Sequence, residues 1–453
     1  MRINLPYGAG FQTLDIDDGA DVEILCSNAG GADGTDYAGS TGGAGRTGAD
    51  EDRIVLEAMA SPIGSPRLAE LARNAGNAVI ICSDHTRPVP SRKIIPHMLS
   101  ELYAGNPDIM VTLLVATGTH RAPSHAELVN KFGDEIVESQ KIEIHNCKDY
   151  RKMRSIGRLP SGAEFIVNSI AADTDLLIAE GFIEPHFFAG FSGGRKSVLP
   201  GICAYETILG NHCASFIADP AARAGVLAGN PIHRDMQAAQ RLARLAYIVN
   251  VIIDGDKRVL QAFAGEPEAA HASGCESLAK LCIVKPSRNA DIVITTNGGA
   301  PLDLNIYQAV KCMTAAEAVA ARGAVIIALS ECGDGAGGET FFKMMNDCES
   351  PAALLDAIER VPMNKTAEDQ WQSQILARIL KEHPVILVCA PESREAARKM
   401  KLLTADSVNE AYAYACKIHK NNKDVQSASR RDGDGAATVT VIPDGVSVII
   451  KSS

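Results

Sequence analysis

Reactive side chains follow the apolar, strand-like runs of this sequence at the points where those runs end. The run NAVIIC at 77–82 is followed by SDHTRP, which contains Asp84 and Arg87, and the run DIMVTLLVAT at 108–117 is followed by GTHR, which contains His120. In open α/β sheets, ligands bind beyond the carboxyl ends of the strands. We therefore expect an acid, a base and a cation along one rim of a sheet.

A glycine-rich segment, GFIEPHFFAGFSGGRKS, follows a third apolar run, TDLLIAE. Its end resembles a nucleoside-triphosphate phosphate loop, but that loop requires glycine directly before the lysine, where this sequence has Arg195. The segment still favours binding of an anion, because Gly193 and Gly194 expose backbone N–H groups while Arg195 and Lys196 add positive charge. His186 lies in the same loop, which is a typical place for a catalytic residue.

Two later motifs add further candidates. GNH brings His212 sixteen residues after Lys196, and DLNIYQAVK contains Gln308 and Lys311. A spacing of three residues puts Gln308 and Lys311 on one face of a helix, from which both can point into a cleft between domains. These residue types together predict an anion-binding α/β enzyme that uses histidine for acid/base chemistry.

The elements that must position these residues are indicated by apolar runs that alternate with helix-like patterns. A chain of 453 residues exceeds the size of one hydrophobic core, so we expect two domains. The alternation predicts two α/β domains with mostly parallel sheets, and we place the active site in the interdomain cleft. The runs that support this fold are 77–82, 108–117, 174–180, 291–296, 323–330 and 385–390.

The polar stretch KPSRN indicates a domain junction near residue 286. We therefore predict an N-terminal cofactor-binding domain over 1–285 and a C-terminal α/β domain over 286–453. Residues 28–49 are rich in Gly, Ala, Ser and Thr, which predicts a flexible insertion. The segment TVTVIPDGVSVIIK predicts a terminal hairpin over 437–451, which we expect to pack back on the N-terminal domain.

Composition excludes several classes of protein. The net charge of -11 and the absence of a Lys/Arg block argue against a nucleic-acid partner. No apolar run is long enough for a membrane span, and the first residues lack the regions of a signal peptide, so we expect a cytoplasmic protein. The 12 cysteines form no CxxC pair, which favours reduced, buried thiols over a disulfide frame or a zinc site.

The motifs, taken together, resemble the nickel-pincer lactate racemase family. The resemblance rests on SDHTRP, ATGTHR, EPHFFAGFSGGRKSVLPG, GNH, LNIYQAVK and the single tryptophan, Trp371, and it spans residues 83 to 371. The segment around Lys196 is the most specific of these motifs. The resemblance implies an isomerase that inverts C2 of a 2-hydroxy acid.

The resemblance also implies a cofactor, the nickel-pincer nucleotide. This group is a pyridinium-3-thioamide-5-thiocarboxylic acid mononucleotide that is joined to a lysine and binds nickel through two sulfurs, a ring carbon and a histidine. By position, Lys196 is the implied anchor and His212 the implied nickel ligand. His120 and His186 match the acid/base pair. The remaining matches are Arg87, Gln308 and Lys311 as substrate contacts, Asp84 as a residue near the cofactor, and Tyr307 and Trp371 as pocket walls.

The implied chemistry suits these residue types. One histidine takes the hydroxyl proton while C2 passes a hydride to the electron-poor ring, and the resulting 2-keto acid receives the hydride back on its other face. Two bases are then needed, one for each enantiomer. Imidazole and soft sulfur donors also suit nickel. Maturation implies cofactor-synthesis proteins as partners. The substrate beyond its 2-hydroxy carboxylate and the oligomeric state stay open; lactate, malate, longer 2-hydroxy acids and sugar acids all fit.

Two alternatives stand beside this interpretation. A nicotinamide-dependent 2-hydroxyacid dehydrogenase would need a GxGxxG turn, and GDGAGG at 333–338 lacks that spacing. A non-catalytic anion- or metabolite-binding relative would keep the fold without the reaction. The presence of both histidines with Arg87, Lys196 and Lys311 argues against lost catalysis.

Overall fold

The computed structural model describes residues 1–17, 19–27, 48–427 and 437–451. The predicted insertion at 28–49 lies outside the described residues except for Gly48 and Ala49, which begin the first helix. None of the helices in the described ranges is both long and apolar enough to cross a membrane. The described residues divide into two compact units, and each has its own sheet and core.

The strands and helices follow one another in the order that the alternating sequence pattern predicts. The strands are β1 (Arg2–Tyr7), β2 (Gly10–Asp15), β3 (Asp21–Ile24), β4 (Asn77–Ser83), β5 (Met110–Ala116), β6 (Lys141–Ile144), β7 (Met153–Arg158), β8 (Glu164–Asn168), β9 (Leu176–Phe182), β10 (Pro185–His186), β11 (Gly190–Phe191), β12 (Leu245–Ile253), β13 (Val259–Gly265), β14 (Ile283–Val284), β15 (Ala290–Thr296), β16 (Ala320–Leu329), β17 (Val385–Val388), β18 (Leu403–Ala405), β19 (Thr438–Ile442) and β20 (Ile449–Ile450). The helices are α1 (Gly48–Ala60), α2 (Leu68–Ala72), α3 (Ser91–Gly105), α4 (His125–Phe132), α5 (Asp134–Ser139), α6 (Ser169–Ala172), α7 (Tyr205–Asn211), α8 (Ala214–Ala218), α9 (Pro231–Leu242), α10 (Pro267–Cys282), α11 (Ile306–Glu317), α12 (Glu339–Asp347), α13 (Pro351–Glu359), α14 (Gln370–Glu382), α15 (Arg394–Lys399) and α16 (Val408–Ser427).

The first unit, which we call the histidine unit, comprises the described residues of 48–212 and 219–280. Its six-stranded sheet has the order β13-β12-β9-β4-β5-β6, and every pair is parallel except β12 with β13. The central strands are buried on both faces, which explains their almost continuous apolar sequences. Because β4, β5 and β9 are adjacent and parallel, the segments that follow them emerge at the same edge of the sheet.

The second unit, which we call the lysine unit after Lys311, comprises residues 281–451, the segment 213–218 and the described residues of 1–27. Its sheet has the order β18-β17-β16-β15-β19-β3 and is parallel throughout. The predicted fold class of two α/β domains with mostly parallel sheets is confirmed.

The N-terminal segment differs from the prediction of a first domain over 1–285. Strand β3 pairs with β19, and Leu5 and Leu14 are fully buried in the core of the lysine unit with Ile292 and Val439. The chain therefore begins in the lysine unit, leaves it, returns briefly over 213–218, and then rejoins it at Leu281, near the predicted junction at 286. Pairing between strands that are more than 400 residues apart cannot be recognised from a local sequence pattern.

The prediction of a terminal hairpin over 437–451 is wrong. Strand β19 joins the six-stranded sheet, whereas β20 pairs in parallel with β14, so the two strands belong to different sheets. The Pro-Asp-Gly turn is present, since Asp444 accepts hydrogen bonds from the backbone N–H groups of Val446 and Ser447, but the chain leaves it in a new direction. Both strands belong to the lysine unit, not to the predicted N-terminal domain.

Candidate functional site

Asp84 and His120 form a hydrogen-bonded pair at the carboxyl end of the sheet in the histidine unit. Asp84 follows β4, His120 follows β5, and Asp84 Oδ2 lies 2.7 Å from His120 Nδ1. Asp84 is only 1% exposed, and its Oδ1 accepts hydrogen bonds from the backbone N–H and the hydroxyl of Thr86. A carboxylate accepts hydrogen bonds, so Nδ1 of His120 carries the proton and Nε2 of the neutral ring carries the lone pair.

The charge state of Asp84 follows from this environment. Burial alone would raise the pKa of Asp84, but the hydrogen bond and charge of His120, the hydroxyl of Thr86 and the charge of Arg87 together lower it to about 2. Asp84 is therefore a carboxylate at neutral pH and orients a histidine that is itself partly exposed. An arrangement of this kind prepares a histidine to act as a general base.

Arg87 lies on the same loop, and its side chain is exposed. Its guanidinium contacts Thr86 Oγ1 at 3.3 Å, and its backbone N–H donates to the carbonyl of Asp84. Arg87 is the residue that the sequence predicted to bind an anionic substrate, and a guanidinium presents paired donors that match a carboxylate.

His186 lies in the two-residue strand β10, which pairs with β11 in a small antiparallel hairpin. Its Nδ1 accepts a hydrogen bond from the backbone N–H of Ala189 at 3.2 Å, so the neutral ring carries its proton on Nε2. Nε2 lies 3.3 Å from Nζ of Lys196. The predicted base and the predicted covalent anchor are therefore neighbours.

Lys196 and His212 both lie next to the ring of Phe188. Nζ of Lys196 is 5.8 Å from the centroid of Phe188, and the ring of His212 meets the same ring edge-on at 5.2 Å. His212 caps the end of α7, is 5% exposed and donates from Nδ1 to the carbonyl of Ile208. Burial, and then the charge of Lys196, lower the pKa of His212 to about 3, so the ring is neutral and its Nε2 carries a lone pair that can bind a metal ion.

Arg195 and the two preceding glycines differ from the prediction of an anion-binding loop. Arg195 is 1% exposed and donates to the carbonyls of Gly193 and Ala189 and to Nδ1 of His233. The N–H of Gly194 donates to Asn250 Oδ1. These hydrogen bonds stabilise the loop from its buried side.

The conformation of this loop explains the two glycines. Gly193 has a φ of 78°, and a Cβ atom there would lie 2.7 Å from Asn250 Oδ1. Gly194 has a φ of 51°, and a Cβ atom there would lie 2.8 Å from the ring of His271. Both positions need glycine, because a left-handed backbone and close packing coincide.

The lysine unit carries the second set of predicted residues. Asn305 caps α11 by accepting from the N–H of Gln308, which confirms that Gln308 and Lys311 lie three residues apart on one helix. The phenol oxygen of Tyr307 accepts from Trp371 Nε1 at 3.0 Å. The structure thus brings together Tyr307 and Trp371, which the sequence predicted as pocket walls.

The segment GDGAGG supports the start of α11. The carbonyls of Gly335 and Ala336 accept hydrogen bonds from the N–H groups of Ile306 and Tyr307. Gly335 and Gly337 have positive φ values of 67° and 84°, and a Cβ atom at Gly337 would lie 2.3 Å from Asn305, which explains both glycines without a dinucleotide.

A pocket of about 570 Å³ opens beside His120. Its walls are the segments 118–122 and 144–148, and they include Arg121 and Lys148. His145 also lines the pocket, but its two ring nitrogens contact Cys203 O and Asn168 Nδ2, and burial lowers its pKa to about 4. His145 is therefore a neutral structural residue in the wall of the pocket.

Sequence reasoning missed three residues that hold the catalytic loops: Thr86, Lys131 and Glu180. Thr86 lies within a quoted motif, and Glu180 was detectable as the single charged residue in the otherwise apolar strand LLIAEGF. The role of Lys131 could not be recognised from the sequence, because a lysine in the last turn of a helix is ordinarily a solvated charge that complements the helix dipole.

Comparison with known proteins identifies the family of this chain. Residues 44–225 match the family model described as lactate racemase N-terminal domain, and residues 285–450 match the model described as lactate racemase C-terminal domain. The chain is 46% identical over 451 residues to a curated lactate racemase of Lactiplantibacillus plantarum, and the alignment covers 100% of both chains. The chain belongs to the lactate racemase family.

Further similarities support the membership in this family. A curated lactate racemase of Thermoanaerobacterium thermosaccharolyticum is 44% identical over 450 residues, which is 99% of each chain. The solved lactate racemase apoprotein from the same organism superposes with a TM-score of 0.90 at 43% identity and covers 100% of both chains. A Thermotoga maritima protein of 18% identity, with a TM-score of 0.61 over 89% of this chain and 98% of that one, shares the fold.

Membership in the lactate racemase family fixes the class of the protein. It is an isomerase of the racemase type, it depends on a cofactor, and it acts on a small molecule. The expectation of an isomerase is confirmed. A hydride-transferring dehydrogenase is not the class of this chain.

Proposed function

We propose that this racemase inverts C2 of a 2-hydroxy acid, with lactate as the first candidate, through proton transfer by His120 and His186 and hydride transfer at C2. The observation that carries the proposal is the placement of the two histidines. Nδ1 of His120 is bound to the buried carboxylate of Asp84, which leaves its lone pair at Nε2, and Nε2 of His186 lies 3.3 Å from Nζ of Lys196, the proposed anchor of the cofactor.

The two histidines serve the two enantiomers. Nε2 of neutral His120 accepts the hydroxyl proton of one enantiomer, and His186 in its protonated, imidazolium form returns a proton to the oxygen that forms on the other. After one inversion, His120 is an imidazolium and His186 is neutral, which prepares the pair for the reverse direction. An interconversion of enantiomers requires this reversibility.

The residues fit the nickel-pincer nucleotide that the family resemblance implies. Lys196 offers a primary amine next to the ring nitrogen of His186, and an amine must lose its proton before it can form an amide-type bond. His212 offers a neutral, buried imidazole, which is the form that binds nickel. When bound, this group would supply a reversible hydride acceptor for C2 of the substrate.

The other residues bind and orient the substrate. Arg87 presents its guanidinium in solvent and binds the substrate carboxylate, which fixes C2 relative to the histidines. We assign Gln308 and Lys311 to substrate binding, and Tyr307 and Trp371 to the pocket wall. Asp84 contributes by orienting His120. Arg195, Gly193 and Gly194 act on the cofactor by shaping the loop that carries Lys196.

The central test combines intact mass with a chiral assay. We expect protein that is coexpressed with the cofactor-synthesis proteins and supplied with nickel to carry a covalent adduct and to racemise at least one member of a panel of 2-hydroxy acids. The panel comprises lactate, malate, longer aliphatic and aromatic acids, and sugar acids. An unmodified mass under these conditions would contradict the cofactor assignment, and a modified but inactive protein would favour a non-catalytic relative.

Single substitutions distinguish the proposed roles of the anchor, the nickel ligand and the two catalytic histidines. Lys196→Ala should abolish the adduct, whereas His212→Ala should keep the adduct and lose bound nickel. His120→Ala and His186→Ala should keep adduct and nickel and lose most racemisation. His97→Ala is the matched control, because His97 lies in α3 and contacts Asp52 in α1. Equal loss of activity in His97→Ala would contradict the assignment of the two catalytic histidines.

A further inference from the structure

The loop at 83–91 carries both Asp84 and Arg87, and one buried carboxylate holds its two ends. Oε1 of Glu180 accepts from the backbone N–H and the hydroxyl of Ser83, both at 2.8 Å, and from the hydroxyl of Ser91 at 3.1 Å. Glu180 lies in β9 and is 2% exposed. The start and the end of the loop are therefore fixed to one strand of the sheet.

The middle of the loop is held by a lysine from another element. Nζ of Lys131 donates to the carbonyl of Arg87 at 2.8 Å and to the carbonyl of Val89 at 3.0 Å. Pro88 and Pro90 stand next to these residues and have no N–H, so regular secondary structure cannot form here. Lys131 supplies donors to two loop carbonyls in its place.

Lys131 is itself held in a fixed helix. Helix α4 starts with a capping box between Ser124 and Glu127. Glu127 lies four residues before Lys131, and therefore on the same face, and it binds Arg121 through both carboxylate oxygens at 2.8 and 2.5 Å. This face of α4 thus contacts the loop after β4 through Lys131 and the loop after β5 through Glu127.

Burial lowers the pKa of Lys131, while the charges of Glu180 and Asp84 act to raise it. Removing an ammonium from water costs free energy, and the two carbonyl hydrogen bonds offset that cost. A lysine that served only as a surface charge would leave its ammonium in solvent. This one is directed at the backbone of the residue assigned to bind substrate.

We propose that Lys131 is a positioning residue, which sets the backbone of Arg87 and thereby aims its guanidinium at the substrate carboxylate. The proposal rests on the proposed function of Arg87. Thr86 is the one side chain that the guanidinium contacts within the loop, so its direction depends on the position of the backbone. Misplacing a substrate-binding group by about 1 Å costs on the order of 100-fold in rate.

The first test needs no cofactor. In the apoprotein, Lys131→Met should speed hydrogen exchange of the amides in 83–91 about tenfold or more, as measured by mass spectrometry, and should leave 110–116 unchanged. Lys141→Met is the matched control, because Lys141 is an exposed lysine on β6 that pairs with Glu143. Unchanged exchange in 83–91 would overturn the proposal. If Lys131→Met does not fold, Lys131→Gln, which keeps one donor, should show a smaller increase.

The second test uses the loaded enzyme. Lys131→Met should raise KM for the substrate by about 10- to 100-fold with a smaller change in kcat, and Lys131→Arg should recover much of the loss. In an Arg87→Lys background, Lys131→Met should add little, because both changes act through one contact. Unchanged KM, or full additivity with Arg87→Lys, would overturn the role in catalysis.

The two tests separate this proposal from the proposed function. A wild-type loaded enzyme that racemises no 2-hydroxy acid contradicts the proposed function, and the exchange experiment then decides alone whether Lys131 fixes the loop. A racemising wild type together with normal exchange and kinetics in Lys131→Met overturns the positioning role and leaves the proposed function intact.

Discussion

The two ionisable groups of the Asp84–His120 pair have different roles. Asp84 is buried and ionised, and His120 is partly exposed and bound to it through Nδ1. The carboxylate cannot reach solvent or substrate easily, but it fixes the ring plane and the tautomer of the histidine that can. The same logic orients the histidine in the catalytic triads of hydrolases.

Asp84→Asn should therefore reduce racemisation by about 10² to 10⁴-fold. The amide keeps the shape of the side chain but no longer favours the tautomer with a lone pair at Nε2 of His120. The measurement is kcat/KM on adduct-bearing protein with normal nickel content. Asp52→Asn is the matched control, since Asp52 contacts Nε2 of His97 at 3.3 Å in a pair without a proposed role. Comparable losses in both variants would contradict this account.

The same substitution should change stability in a pH-dependent way. The pKa of Asp84 is about 2 in the folded protein against 3.8 ordinarily, so ionised Asp84 stabilises the fold by roughly 2 kcal/mol above pH 4. This contribution is lost as the pH falls from about 4 through 2, because below pH 2 the carboxylate is mostly protonated in both states. The unfolding free energies of wild type and Asp84→Asn should thus converge over that interval. A constant difference down to pH 2 would rule out the depressed pKa.

For single residues, the sequence predicted which side chains could react better than it predicted where those side chains point. Asp84, His120, His186 and Lys196 could be singled out because each follows an apolar strand in a Gly- or Pro-rich loop. Arg195 has the same sequence context, yet its guanidinium is buried under the loop. Side-chain direction depends on packing from elements that are distant in sequence, and no local pattern encodes it.

At the scale of elements, the glycine-rich segment is a rigid support for His186 and Lys196. Strands β10 and β11 pair within it, and the buried Arg195 ties it to the carbonyls of Ala189 and Gly193. The segment packs so closely on β9 and β12 that a side chain at Gly193 would meet Phe182 O at 2.8 Å. The loop holds its two reactive groups by close packing and backbone geometry.

Gly193→Ala should accordingly destabilise the protein by roughly 2–5 kcal/mol, the sum of a left-handed backbone and overpacking. It should also lower the yield of the covalent adduct, because Lys196 is displaced. Gly162→Ala is the control: its φ of 88° is equally unfavourable for alanine, but nothing lies within 4 Å of the added Cβ. Its cost should be about 1–2 kcal/mol with normal adduct formation. Equal effects of the two substitutions on chemical unfolding and on adduct mass would contradict the packing argument.

Elements were predictable where one stretch of chain decides them. The strands β4, β5, β9, β15, β16 and β17 were all indicated by apolar runs, because a strand buried on both faces must be apolar along its length. The predicted hairpin at 437–451 was wrong because Pro-Asp-Gly specifies a turn and not the partner of the strand that follows it. Strand β20 finds that partner in β14, more than 160 residues earlier.

At the scale of the whole molecule, the two units are built from interrupted stretches of chain. The family models match residues 44–225 and 285–450, whereas the structure adds the first residues of the chain to the lysine unit. The hairpin of β1 and β2 covers the core there, and β3 extends the parallel sheet at its edge. The N-terminal segment therefore stabilises a unit whose other residues do not begin until Cys213.

Assigning the N-terminal segment to the lysine unit predicts which of the two cores a substitution in this segment destabilises. Leu14 is fully buried in the core that contains Ile292 and Val439, so Leu14→Ala should cost about 2–5 kcal/mol and speed hydrogen exchange in 290–296 and 438–442. Exchange in 77–83 and 110–116 should stay near the wild-type rate. Leu113→Ala, a fully buried leucine in the other core, is the matched control and should show the reverse pattern.

The reciprocal pair makes the outcome decisive, because both substitutions remove the same atoms from fully buried sites and differ only in the core they affect. If Leu14→Ala loosened 77–83 more than 290–296, the N-terminal segment would belong to the histidine unit, as the boundary at 286 implied. If it loosened neither, the hairpin of β1 and β2 would contribute nothing to the core it covers. Faster exchange confined to 290–296 and 438–442 is the result that the burial of Leu14 requires.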